Sequence, residues 1–341
     1  MDFLVIQALT GLASASSLFL VASGLSLVFG VTRIVNFAHG SLFMLGAYGA
    51  WTLTEQWGWA AQGGPLGFWG GVLLSAIAVA LLGGLVEVLV LRRIYNSPAL
   101  FPLLATFGLA LMAEDLVRMI WGPEDLLGPR APGLEGAVTL LGQKLPSYDL
   151  ALIALGPLVL AGLWLLLNRT PWGVLVRAAT QDRAMVAALG VNQAHLFTGV
   201  FMLGAFLAAL GGAVQIPREA VHHALDMQII VEAFVIVVIG GLGNVLGAFL
   251  AAILVSELNA FGILLFPRIG LVLMFLVMAV VLIVRPYGLL GRPESEPRAA
   301  VPPTPDTWQP LGRAGGVAAL ALLGALALLP LTADAYTLSV A

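Results

Sequence analysis

The sequence predicts an all-α, polytopic membrane protein, and three observations carry that reading. The chain has 341 residues, of which 60% are hydrophobic and only 10% charged, where a soluble domain carries about 25% charge. Nine apolar windows, 3–30, 37–54, 68–91, 99–121, 150–167, 196–216, 229–256, 269–284 and 314–331, hold just five charges: Glu87, Glu114, Asp115, Arg118 and Glu232. Their lengths suit the roughly 20 residues that a helix needs to cross a bilayer. The windows are continuous runs rather than ten-residue alternating segments, which excludes a β-barrel.

Composition excludes several function classes. There are too few charges to cover a soluble enzyme. The absence of cysteine removes disulfides, iron–sulfur clusters, thiolate zinc sites and cysteine nucleophiles. A net charge of −3 argues against nucleic acid as a partner. No Walker A, GxSxG or HExxH pattern and no histidine–carboxylate constellation is present. The chain is therefore expected to be no enzyme, with no catalytic residue, no metal and no ATP hydrolysis of its own. Forty glycines suit close helix contact in lipid.

Taken in order, window 3–30 reads as a retained span, because Asp2 replaces the basic start of a signal peptide. Asn36, His39 and Gly40 open the second window. Asn is a strong helix N-cap, and a helix N-terminus is a ready anion or carboxylate site. These residues are expected either to line a translocation path or to cap a helix at the interface. His39 has no metal-ligating companion at suitable spacing. Glu87 stands near Arg92 at the edge of window 68–91. Glu114 and Arg118 share a helix face at i,i+4, one turn before Trp121-Gly122-Pro123, and read with Asp115 as an interfacial cluster. Glu232 is read as lying near the outer end of its window.

Basic residues orient the chain. Arg92 and Arg93 lie in 92–98; Arg169, Arg177 and Arg183 in 168–195; and Arg285, Arg292, Arg298 and Arg313 in 285–313. The positive-inside rule places these connections in the cytoplasm and the acidic, Pro/Gly-containing loop 122–149 outside, with an external N-terminus. Three windows then separate two cytoplasmic loops, although an even number of crossings is required. Window 229–256 contains Gly240-Gly241-Leu242-Gly243-Asn244, where each glycine costs a helix roughly 1 kcal/mol. Two short helices meeting at 240–244 and entering and leaving on one side resolve the parity; one tilted helix is the alternative. Non-helical backbone at membrane depth must face protein or a pathway, so Gly240, Gly243 and Asn244 are candidates beside Asn36, His39 and Gly40. The second window and the start at Asn244 echo each other, each with Asn ahead of a glycine and an apolar helix.

In 168–195, Thr180 is expected to cap a helix carrying Asp182 in its first turn and ending at Gly190. A short amphipathic helix flanked by arginines can dock into a partner's groove or lie on the membrane surface.

Several stretches resemble permeases of branched-chain amino-acid ABC importers of the LivH type. They are Gly24-Leu25-Ser26-Leu27-Val28-Phe29-Gly30-Val31, Asn36-Phe37-Ala38-His39-Gly40, Met44-Leu45-Gly46-Ala47-Tyr48, Leu104 to Leu111, Arg177 to Asn192, and Ala233 to Gly247. The resemblance covers about residues 3–292. It implies a type II ABC importer permease-like bundle with broken or re-entrant helices, in the bacterial inner membrane. It further implies a sister permease subunit, two cytoplasmic ATPase subunits that bind ATP and Mg, and a periplasmic or surface solute-binding protein. It places a coupling helix within 177–192, which makes Arg177, Asp182, Arg183, Ala187 and Gly190 the coupling candidates. The expected cargo is a branched-chain amino acid or a similar small polar solute, since relatives carry urea or short amides. A stand-alone secondary transporter or channel is the alternative. Residues 1–291 are expected to form the permease domain and 292–313 a Pro-rich cytoplasmic linker. Residues 314–341 are an extra apolar segment: the start of a sister permease, or an anchor.

Overall fold

The computed structural model describes residues 2–291 apart from 96, 99, 141 and 266–269. The expected linker and the ninth apolar window lie outside the described residues. The chain opens with α1 (Asp2–Thr32) and α2 (Ala38–Trp51), the latter prolonged by a π-helical turn over Thr52–Gln56. Next come α3 (Trp59–Val86), a second π turn (Glu87–Leu91), α4 (Arg92–Ile94) and α5 (Leu100–Trp121). A hairpin of β1 (Ala137–Leu140) and β2 (Gln143–Pro146) precedes α6 (Ser147–Arg169). Two short helices, α7 (Pro171–Gln181) and α8 (Arg183–Ala188), lead into α9 (Gln193–Ala213). The last described elements are α10 (Leu225–Gly240), α11 (Val245–Leu265) and α12 (Gly270–Val284). Six of these helices, taking α3 through α4 as one, are long and apolar enough to cross a membrane.

Every described apolar window became helix, and the surprises fall between them. The connection 55–67 is largely helical, because α3 starts at Trp59 and kinks at Gly64 (φ 55°, ψ −139°), just before Pro65. The Gly63-Gly64-Pro65 run conceals that turn in the sequence. The loop 122–149 carries the small hairpin, whose turn includes Gly142 at φ 78°.

Polar contacts sort the connections onto two ends. At the basic end, Arg33 Nη2 donates to the Thr180 carbonyl (3.4 Å), Arg92 Nη2 to the Ala194 carbonyl (3.5 Å) and Asn244 Nδ2 to the Leu290 carbonyl (2.7 Å). At the other end, Trp51 Nε1 donates to the Leu127 carbonyl (2.9 Å), Leu126 bridges Val221, and Arg218 pairs with Asp149 at 3.2 Å. The partition is the one that the arginines predict.

The parity conflict resolves at Gly241–Asn244, where the helix breaks. The break differs from expectation in depth. α11 runs antiparallel to α1, with Gln7 Nε2 donating to the Ala260 carbonyl (2.7 Å) at one end and Gly30 against Gly243 at the other. The break therefore sits at the basic end, where α10 and α11 meet, rather than at membrane depth. The apolar window underestimated both helices, since α10 starts four residues before it and α11 ends nine residues beyond it.

Re-entry occurs instead at the start of α2. Arg33 has φ +57°, the only positive φ of a non-glycine among the described residues, and reverses the chain there. Residues 34–37 lead back into the bundle, so that His39 Nε2 lies 3.0 Å from the Val21 carbonyl. Val21 precedes Thr32 by eleven residues, about 16 Å of helix. α2 thus starts near mid-bundle and runs toward the end opposite the arginines.

α1 and α9 are the most buried spans, and small residues bring them together. A Cβ at Gly24 would lie 2.5 Å from the Gly204 carbonyl oxygen, so only glycine permits this approach of backbones. By contrast α3, α5, α6 and α12 turn apolar side chains outward, among them Leu81, Met119, Leu158 and Ile283, each at least 60% exposed. Such faces suit lipid or a partner subunit. Gly24→Ala is expected to destabilise the bundle by about 1–3 kcal/mol through overpacking. Gly162→Ala on α6, where a Cβ meets nothing within 4 Å, should be neutral or stabilising by up to about 1 kcal/mol. Thermal unfolding of the two variants in one detergent checks the contrast.

Candidate functional site

A helix that starts inside an apolar bundle needs partners for its first N–H groups. The start of α2 obtains one from α5: the Phe37 N–H donates to Thr106 Oγ1 at 3.2 Å, and Thr106 is fully buried. Phe37 itself is the N-cap, with helical φ −68° and ψ −30° and no side-chain cap. Asn36 therefore does not cap the helix as expected, because α2 begins one residue too late for its side chain to serve. Its carbonyl accepts from the His39 N–H (3.3 Å). Its side-chain amide is buried, and among the described residues neither amide atom has a hydrogen-bond partner.

His39 is fully buried. A carbonyl only accepts, so the contact to Val21 fixes the proton on Nε2 and leaves Nδ1 an acceptor. Nδ1 has no partner among the described residues. Gly40 lets α2 meet α10, since a Cβ there would lie 2.2 Å from the Asp226 carbonyl oxygen. Beside it Ser41 Oγ donates to Asp226 Oδ2 at 3.2 Å, while Asp226 Oδ1 accepts from the Met227 N–H at 2.7 Å. Phe37 packs on Phe234 of α10 and Phe107 of α5, with ring centroids 5.5 and 6.2 Å away. The result is a buried polar cluster of Asn36, His39, Ser41, Thr106 and Asp226 where the starts of α2 and α10 meet. Asp226 was missed because it falls three residues outside window 229–256. Its position in the first turn of an apolar helix was the available signal. No three metal-ligating side chains converge among the described residues.

Gly240, Gly243 and Asn244 do not join that cluster. They form a joint at the basic end. Gly241 (φ +100°) and Gly243 (φ +79°) adopt backbone that side chains rarely reach. Asn244 caps α11, with Oδ1 accepting from the Gly247 N–H at 2.9 Å, and ties it to Leu290. Gly240 meets the backbone of Gly247. A Cβ on Gly30 would lie 3.2 Å from Gly243 Cα and 3.6 Å from the Thr180 methyl group. The end of α1 thus closes on Gly243 and on α7, while the Asn36–Gly40 segment does not meet the joint.

The connection 168–195 holds two helices, not one. Thr170 Oγ1 accepts from the Gly173 N–H (3.0 Å), and Pro171 takes the first position of α7. That Thr-Pro start was the readable signal for the missed helix. Thr180 is consequently the end of α7 rather than a cap, its hydroxyl donating to the Arg177 carbonyl at 2.7 Å. Asp182 caps α8 in its place, accepting from the Met185 N–H at 2.9 Å. Arg183 opens α8, and Gly190 at φ +81° ends it as expected. Val186 anchors α8, while Met185, Ala187 and Leu189 face outward. Arg177 donates to Asn168 Oδ1.

The remaining charges hold helix ends together. Arg92 pairs with Glu87 at 2.9 Å and also donates to Thr198, whose hydroxyl donates to Glu87 at 2.7 Å. Glu114 and Arg118 form the expected i,i+4 pair at 2.6 Å. Glu232 differs: α10 starts early enough to place it two turns inside the helix, not at an edge.

Known proteins agree with this architecture. The family model described as "Branched-chain amino acid transport system / permease component" matches residues 7–282. The chain is 28% identical over 298 residues to the high-affinity branched-chain amino acid transport system permease protein BraD of Pseudomonas aeruginosa, covering 85% of this chain and 96% of that one. It is 24% identical over 302 residues to LivH of Escherichia coli K12, with the same coverage. It is 25% identical over 320 residues to LivM of that organism, covering 84% and 71%. No solved structure matches the chain.

Two substitutions separate the roles within the polar cluster. Thr106→Val strips the Phe37 N–H of its acceptor and is expected to cost about 1–3 kcal/mol. Asn36→Leu removes an amide that makes no side-chain hydrogen bond and should leave stability unchanged or higher. Chemical unfolding in detergent micelles measures both; a larger loss for Asn36→Leu contradicts the assignment.

Proposed function

Since the chain belongs to the family of permease components of branched-chain amino acid transport systems, we propose that it forms half of the translocation pathway of an ATP-driven importer. It is a multi-pass protein of the bacterial inner membrane, and a transporter subunit rather than an enzyme. The second half of the pathway comes from a sister permease. Two cytoplasmic ATPase subunits bind ATP and Mg, and a periplasmic or surface binding protein delivers the solute. The cargo proposed is a branched-chain amino acid, following the names of its relatives.

The observation that carries this reading is α8, a capped helix at the basic end whose apolar Met185 and Leu189 are 59% and 75% exposed. An ATPase groove that accepts this face receives the coupling helix, with Arg177, Asp182, Arg183, Ala187 and Gly190 holding its shape and flanks. Geometry supports a route from there to the solute. α7 touches the joint at Gly30 and Gly243. α10 leaves that joint and carries Asp226 into the polar cluster, about 21 Å from Gly240 along the helix. The cluster around Asn36, His39 and Gly40, with Asp226, is the proposed pathway element. Gly240, Gly243 and Asn244 act as the hinge that moves α10.

The test reconstitutes the chain with its sister permease, ATPases and binding protein in vesicles. Leu189→Glu should lower ATPase capture and ATP-dependent leucine uptake at least tenfold while the chain still folds. Uptake that persists on an ion gradient without ATP overturns the reading in favour of a stand-alone transporter. Uptake of urea or short amides in place of leucine corrects the cargo alone.

A further inference from the structure

A pocket of about 520 Å³ opens between α1, α6, α7 and the start of α11. It belongs neither to the polar cluster nor to the outward face of α8. Its walls are apolar: Leu27, Leu160, Trp164 and Leu246 line it, and Pro157 marks its deep end. Polar groups gather at the other end, where Asn168, Arg177 and Asn244 form the rim. The lining contains one cation and no carboxylate.

Depth and charge identify an occupant. Asn168 and Pro157 are eleven residues apart on α6, which is about 16 Å of helix. That is half of the roughly 30 Å hydrocarbon thickness, the reach of one leaflet's acyl chains. The rim lies at the basic end, where a lipid headgroup sits. Two further arginines stand by: Arg169 lies 5.8 Å over the Trp164 ring, and Arg33 reaches the carbonyl of Thr180, a lining residue. Trp164 and Leu246, each about half exposed, open the pocket sideways rather than toward the protein interior. An apolar slot one leaflet deep with a cationic rim is complementary to an anionic amphiphile.

We propose that this pocket binds an anionic glycerophospholipid, with an acyl chain along α6 toward Pro157 and the phosphate held by Arg177. The lipid bridges α6, α7 and the start of α11, so it braces the joint at Gly243–Asn244 from outside. The site shares Arg177 with the coupling segment and Asn244 with the joint, so it is tested by lipid binding alone, with neither cargo nor ATPase present.

Native mass spectrometry of the full-length chain in neutral detergent tests it. Phosphatidylglycerol and phosphatidylcholine of matched acyl chains are titrated separately. One saturable phosphatidylglycerol per chain is expected, bound at least tenfold more tightly than phosphatidylcholine. Arg177→Gln should abolish that preference, bringing phosphatidylglycerol to the phosphatidylcholine level. Ala161→Trp, which fills the wall from an exposed position on α6, should weaken both lipids at least fivefold. Millimolar inorganic phosphate should displace neither. Equal binding of the two lipids, displacement by phosphate, or unchanged binding in both variants overturns the proposal. So does the lack of any saturable lipid, as when another protein segment fills the slot.

Discussion

A helix that begins in the middle of an apolar bundle exposes backbone N–H groups that lipid cannot satisfy, and each costs several kcal/mol if left bare. The start of α2 imposes that demand, and much of the surrounding structure answers it. Thr106 from α5 supplies an acceptor for the Phe37 N–H. His39 turns to the Val21 carbonyl of α1, and Gly24 leaves room for the ring, since a Cβ there would lie 3.1 Å from Nε2. Gly40 lets α10 close over the same spot. The reversal at Arg33, in backbone unusual for a residue with a side chain, is the local strain that allows α2 to start so deep. The consequence is a concentration of buried polar groups inside the bundle.

The same constraint explains how much was legible. Periodicity and hydropathy report whether a segment is helical and apolar, so every described window was found. They do not report depth. The Asn36–Gly40 start and the Gly240–Asn244 break look alike as text, yet one lies near mid-bundle and the other at the end. Depth follows from partners distant in sequence: Val21 and Thr106 for the first, Gly30 and Leu290 for the second. The arginine distribution did carry the information about ends, because charge placement responds to the membrane directly. Asp226 shows the opposite failure. A window scan assigns a carboxylate beside an apolar run to the loop, whereas Ser41 and its neighbouring N–H hold it inside. Of the cluster, Asn36 and His39 were legible in the sequence, while Ser41, Thr106 and Asp226 join them only through the fold.

Capping chemistry was readable where it was local. Gly190 ends its helix because no side chain obstructs φ +81°. Thr180 misled because Thr170-Pro171 starts a helix earlier, and a helix already running past Thr180 needs no cap there. Asp182, two residues on, takes the role at the next start. Competing caps can be ranked only after the preceding helix is known.

Two kinds of packing divide the molecule and bear on how movement travels. In the middle, backbones touch through small residues: Gly24 on Gly204, Gly46 on Ala209, Gly212 on Phe43. Such contacts have little slack, because the nearest neighbours are main-chain atoms and not side chains that can rotate. At the basic end the joint adds glycine turns to the same close backbone approach, Gly240 on Gly247 and Gly241 on Gly291. Gly241, Gly243 and Gly288 supply turns at positive φ. A few bonds close it, the Leu289 N–H to the Ile239 carbonyl at 2.7 Å and the Leu290 N–H to the Gly240 carbonyl at 3.2 Å. From this joint α10 runs back to Leu225 as one continuous helix. Because α10 ends against Gly40 with no space for a Cβ, it cannot shift there without moving the start of α2. The close approach at Gly40 thus ties the position of α10 to that of the start of α2.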